Sequence, residues 1–240
     1  MLRQWVRPTE DLDFLAITLP SESLDQVLAE ILAVDAEDGL VFDTTGMTSE
    51  EIREDAGYPC RRYKIPYRFG AKHAHFIKLD MSFGDPVTPG PQAIEVHPIL
   101  ADFQGGQVLG YPIETLLAEK VETLVIRGLA NTRSKDIFDL WVLARNRTDL
   151  HLAPVGQALA ATAAYRGSSG NLEGAALLSS FCQDPRQAQL WKAFARSKGL
   201  AVPDFPEVMA AVQVFVAPMV TMAIHGGNDR SWDPRAARWQ

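Results

Sequence analysis

His75-Phe-Ile-Lys-Leu-Asp-Met-Ser-Phe83 alternates with a period of two: Phe76, Lys78, Asp80 and Ser82 fall on one face, and Ile77, Leu79, Met81 and Phe83 on the other. That pattern predicts a strand with one apolar face, and it makes Asp80 an acid embedded in a sheet. Upstream, residues 61–69 read as a second strand and residues 13–19, apolar and closed by Pro20, as a first. Ser21 then offers an N-cap to a helix over 24–34, where Leu24, Val27, Leu28, Ile31 and Leu32 recur at helical spacing. The spacing also predicts a short helix over 48–56, with Thr48 and Glu51 in capping-box register and Gly57 as its stop. Ala93 to His97 makes a further strand.

From Pro112 onward the period changes. Leu116, Leu117, Val121, Leu124 and Val125 mark one helix and Ile137, Leu140, Trp141 and Ala144 another, and helical patterns follow over 153–165, 185–196 and 205–224. The last is apolar enough to raise the question of a membrane span, but Gln213, Pro218 and Thr221 interrupt it, so it reads as a buried helix and no membrane partner is expected. The expected fold class is α+β, a mixed α/β half over 1–110 followed by a helical half over 111–240.

Composition supports a folded chain. Its 240 residues are 47% hydrophobic and 22% charged, outside the range of disordered or collagen-like sequences. The net charge of −7 is unevenly shared: the first 120 residues carry 10 basic and 20 acidic groups, the rest 13 and 10. Bulk positive charge is therefore not the means of holding a polyanion. Cys60 and Cys182 have no partner at metal or C-x-x-C spacing and read as reduced thiols, so a cytoplasmic location is expected.

Asp11-Leu-Asp13 stands at the entrance of the first strand, where alternation sends both carboxylates to one face. If that strand neighbours the Asp80 strand, three carboxylates converge at one sheet edge. Hard oxygen ligands at that density repel unless a divalent cation lies between them, and Mg²⁺ accepts them while keeping sites for phosphate. The chemistry would be metal-assisted phosphoryl or nucleotidyl transfer. Ordinary surface acids, with a cross-strand pair on the Lys78 face, explain the same spacing. In the helical half, Lys120 and Arg127 share a face, and Lys135, Asp136 and Asp139 cluster on the next helix. A lysine there can meet a triphosphate as a point charge, while an i,i+4 salt bridge on a solvated face is the plainer alternative. Arg61, Arg62, Lys64, Arg68, Lys72 and Lys78, interleaved with Tyr63, Tyr67 and Phe69, suit either a nucleotide or tRNA contact or a charge-guarded hairpin.

Arg7-Pro-Thr-Glu-Asp-Leu-Asp13, the Ile77-Lys-Leu-Asp80 strand, Tyr111-Pro-Ile-Glu-Thr-Leu-Leu-Ala-Glu-Lys120 with Arg127, and Lys135-Asp-Ile-Phe-Asp-Leu140 occur in the order seen in the AbiEii family, which the chain resembles. The resemblance implies a polymerase-β-like nucleotidyltransferase palm followed by a helical C-terminal domain. It makes Asp11 and Asp13 the first metal-ligand pair for Mg²⁺ (or Mn²⁺) and Asp80 the third carboxylate and general base. It gives Lys120, with Glu119 beside it, to the triphosphate, adds Arg7, Thr9, Lys78 and Arg127 to the nucleotide-binding set, makes Asp136 the essential acid, and leaves Lys135 and Asp139 in support. The activity implied is transfer of a nucleoside monophosphate from an NTP to an acceptor, expected to be tRNA, in an AbiE-type toxin–antitoxin and phage-defence system with an AbiEi-like antitoxin. The family's Gly-Gly-Ser/Thr turn finds no counterpart in the six residues before Arg7, so the palm is expected to be N-terminally incomplete. The alternative expectation is a catalytically impaired binding protein of the same fold.

Overall fold

The computed structural model describes residues 11–17, 23–53, 59–70, 72–98, 105–172 and 178–240. The chain divides into two compact units, Pro8–Asp85 and Pro86–Gln240.

In the first unit the alternating segments become strands β1 (Leu12–Ala16), β2 (Leu40–Phe42), β3 (Thr48–Arg53), β4 (Pro59–Phe69) and β5 (Lys72–Phe83), with one helix, α1 (Leu24–Leu32). They form a mixed sheet in the order β1-β5-β4-β2, with β3 also paired to β4. β1 runs parallel to β5, and the other pairings are antiparallel. The alternation in β5 behaves as its sequence predicts. Leu79 and Met81, with Tyr63 and Ile65 of β4, form a core against Leu24 and Leu28 of α1. Each such side chain, fully buried, is worth about 1.5–3 kcal/mol by area. α1 starts after Ser23, whose side chain makes no capping hydrogen bond, and the predicted cap Ser21 lies outside the described residues.

Over Thr48–Arg53 the expected helix is instead strand β3, and residues 54–56 of that expectation lie outside the described residues. Its capping-box pattern is local, whereas pairing with β4 sets Glu50 opposite Arg62 and Glu51 opposite Arg61. Opposite charges facing one another across strands stabilise the pairing, and a short exposed helix has nothing comparable to offer.

The second unit holds the hairpin β6 (Gln92–Val96) and β7 (Gly106–Gly110), then helices α2 (Ile113–Arg127), α3 (Ser134–Asn146), α4 (Leu152–Tyr165), α5 (Leu178–Gln183), α6 (Pro185–Lys198) and α7 (Phe205–His225), and a C-terminal hairpin, β8 (Trp232–Asp233) and β9 (Arg238–Trp239). α7 is long and apolar enough to cross a membrane by length and composition. Its stripe of Phe205, Val208, Met209, Val212, Phe215, Val216 and Met219 is nevertheless almost wholly buried in the unit's core, as the sequence reading has it. Gly156 of α4 lets α7 come close: a Cβ there would meet Met222 Cγ at 2.3 Å. Trp232 and Trp239 close over Phe215, Trp239 stacked at 5.8 Å between ring centroids, and their indole N–H groups donate to the carbonyls of Ala144 and Phe215. A mixed sheet followed by a helical half is the expected α+β arrangement.

Candidate functional site

The register of β1 on β5 sets Asp13 beside Asp80. The register of β5 on β4 sets Asp80 beside Arg62, and that of β4 on β3 sets Arg62 beside Glu50. Register partners share a face of the sheet, and alternation puts this row on the face opposite α1. The condition left open by the sequence is thereby met: the Asp13 and Asp80 strands are neighbours, and β1 is the end strand of the described sheet.

Asp80 is 8% exposed. A carboxylate so buried needs a partner, and Arg62 supplies one in a two-pronged contact, Nε donating to Oδ1 at 2.7 Å and Nη2 to Oδ2 at 2.6 Å. The Asp80 hydrogen bond is the main influence holding the Arg62 proton still more firmly than usual, with the charges of Asp80, Asp11 and Glu50 adding to it. Asp11, half-buried just before β1, therefore lies within the field of the same guanidinium. In the next row Lys78 stands opposite Lys64, whose Nζ lies 4.0 Å above the ring of Phe76. Arg7 and Thr9 lie outside the described residues.

Among the described residues no three His, Cys, Asp or Glu side chains gather into a metal cage. The adjacent pair Asp13 and Asp80 does offer what Mg²⁺ asks of a protein: one or two hard carboxylates, with other positions left to water and phosphate.

The second constellation lies in the helical unit. Lys120 of α2 donates to Asp136 Oδ1 at 3.1 Å and to Asp139 Oδ2 at 2.8 Å, both on α3, and Arg133 Nε holds the other Asp136 oxygen at 2.8 Å. Asp136 is 2% exposed. Asp139 thus reaches across to α2, and Lys120 belongs to a partly buried interhelical network, so the solvated-face alternative does not describe it. Glu119 and Arg127 of α2 and Lys135 of α3 are half-buried. The turn feeding α3 is shaped locally: the Asn131 side chain accepts from the Arg133 N–H at 2.8 Å, and Gln187 of α6 donates to the carbonyls of Leu129 and Asn131. Asp136 sits in the first turn of α3, where a negative charge complements the helix dipole.

Arg133, beside Asp136, and two further groups escape sequence reasoning. Arg62 is one of six cations in a basic stretch, and only register singles it out. Glu122 is buried on α2, accepting from Arg166 Nη1 at 2.8 Å and Ser168 Oγ at 2.7 Å. Its position within the apolar stripe of Val121 and Val125 was the signal available.

The sequence profile of the nucleotidyl transferase AbiEii toxin, type IV toxin–antitoxin system, matches residues 2–214. No curated protein matches the chain.

Proposed function

Because the chain belongs to the AbiEii nucleotidyl transferase toxin family of type IV toxin–antitoxin systems, we propose that it transfers a nucleoside monophosphate from an NTP to a tRNA acceptor, using Mg²⁺ held by Asp13 and Asp80 with Asp11 beside them. Membership implies an antitoxin partner, for which an AbiEi-like protein is the proposal. The observation that carries this reading is the pairing of Asp13 with Asp80 on the sheet face not covered by α1.

A bound Mg²⁺ supplies charge neutralisation at the transferring phosphoryl group. The chain's own residues do the rest. The acceptor hydroxyl oxygen bonds to the α-phosphorus as the bond to the β-phosphate bridging oxygen breaks. Pyrophosphate leaves, and the hydroxyl proton passes to an oxygen of Asp80, the general base. In the helical unit, Asp136 and Asp139 fix where the Lys120 ammonium lies, the point charge that the family resemblance gives to the triphosphate. Lys78, Glu119 and Arg127 are the remaining described candidates for nucleotide contact.

A second reading is binding without turnover. It is favoured by the prior engagement of both key groups, Asp80 by Arg62 and Lys120 by two carboxylates. Purified protein, Mg²⁺, labelled NTPs and total tRNA separate the two. Label on RNA that disappears with Asp80→Asn supports transfer; RNA bound without label supports binding alone; shortened RNA would replace both with a nuclease.

A further inference from the structure

The contact between Arg62 and Asp80 has features that an ordinary structural ion pair does not require. Both oxygens of a buried carboxylate are taken by one guanidinium, at 2.7 and 2.6 Å, directly beside the carboxylate that would share a metal with it. The two partners are unequally enclosed. The Asp80 side chain is 11% exposed and the Arg62 side chain 36%, so the guanidinium has a way out to solvent while the carboxylate stays in place. A second acid also awaits it, because Glu50 of β3 is the register partner of Arg62 on the side away from Asp80 and is exposed. Arg62 therefore has two carboxylates within one row of the sheet, one buried and one solvated.

We infer that Arg62 is a tethered cation that competes with the divalent metal for Asp80, moving toward Glu50 when the metal takes the carboxylate. The inference rests on the metal reading of Asp13 and Asp80 proposed above. A buried carboxylate must keep a counter-charge. Arg62 occupies both oxygens of Asp80 before metal arrives, so the free protein holds its carboxylate pair at reduced metal affinity. The row sets Arg62 between Asp80 and Glu50, so the guanidinium can stay within the row when metal takes Asp80. Exchange of Asp80 for Glu50 replaces a buried, two-pronged contact by an exposed one, which is weaker. That difference sets the penalty the metal must overcome.

The test uses Mn²⁺ alone as the probe, read by electron paramagnetic resonance of the free ion, on the full chain with no nucleotide. Arg62→Gln is expected to bind Mn²⁺ about tenfold more tightly than the wild type, the range a charge-assisted contact can withhold. Adding Asp80→Asn to Arg62→Gln should remove the gain. Thermal melts give a second readout. Without metal Arg62→Gln melts below the wild type, and saturating Mn²⁺ restores more of the deficit than it adds to the wild type. Arg62→Lys, which keeps the charge and loses the fork, is expected between the two and serves if the Gln variant does not fold. Equal or weaker Mn²⁺ binding by both Arg62 variants, while Asp80→Asn alone weakens the wild type, would overturn the competition and leave the metal reading standing. If Asp80→Asn changes Mn²⁺ binding in neither background, the metal reading fails and the inference falls with it.

Discussion

Lys120→Met removes one charge from the network that joins α2 to α3 while keeping the aliphatic stem. In the wild type the ammonium contacts Asp136 at 3.1 Å and Asp139 at 2.8 Å, with side-chain exposures of 17% for Lys120, 3% for Asp136 and 18% for Asp139. These are poorly solvated contacts, so the near-zero value of surface pairs does not apply. Nor does the full penalty of an orphaned buried ion, because Arg133 still holds Asp136 at 2.8 Å. Charge-assisted hydrogen bonds contribute about 1.5–3 kcal/mol each, and the retained Arg133 contact reduces the loss on the Asp136 side, which sets the expected destabilisation at about 2–3 kcal/mol. Urea unfolding at neutral pH measures it as a fall in midpoint at unchanged slope. Asp139→Asn should overlap with Lys120→Met in a double-mutant cycle, with a coupling of about 1–2 kcal/mol. A destabilisation under about 0.5 kcal/mol, or no coupling, would show that the network holds nothing together, and the account of Lys120 as a fixed charge would fail. Nucleotidyl transfer assayed at a temperature where the variant remains folded separates lost activity from lost fold: transfer at the wild-type rate there would remove Lys120 from the triphosphate.

Gly156→Ala should destabilise by about 1–3 kcal/mol, because the new methyl overlaps Met222 across the α4–α7 packing, and Met222→Ala in the same chain should return part of the loss in the same urea measurement. Trp239→Ala should cost about 3–5 kcal/mol by removing the stack on Phe215, read as a lower urea midpoint. Asp229 caps α4 from a distant part of the chain, accepting from the Ala153 N–H at 2.8 Å and meeting His151 at 3.0 Å. The Ala153 N–H bond, first, and then His151 hold its pKa below the usual 3.8. The folded value is the depressed one, so the stabilisation is present above about pH 4 and fades as pH falls through the folded pKa. Asp229→Ala should therefore cost about 0.5–1 kcal/mol near pH 7, modest because the site is exposed, and the difference from wild type should vanish in strong acid, a comparison of melts at pH 7 and pH 2 being the check.

The amino-acid pattern alone determined the strand that carries Asp80, the helices after Pro112 other than the short α5, and the burial of the last long helix, because period-two and period-3.6 apolar spacing are properties of short stretches. It also placed Asp13 and Asp80 in strands whose neighbourhood it could only state as a condition, with Asp11 at the entrance of the first, and it gathered Lys120, Asp136 and Asp139 as candidates without joining them. The stretch from Thr48 was misread because its capping-box residues are a local signal, while the pairing of Glu50 and Glu51 with Arg62 and Arg61 comes from a strand ten residues further on. Only tertiary structure decided what each charge faces. A one-residue change of register would send Arg62 to the other face of the sheet, away from Asp80. Spacing within α3 suggested Lys135 for Asp139, and the packing of α2 on α3 delivered Lys120 to it. Side-chain direction is set by the chain nearby, but a partner on another strand or helix is set by how those elements pack, and in this protein the chemistry depends on the partners.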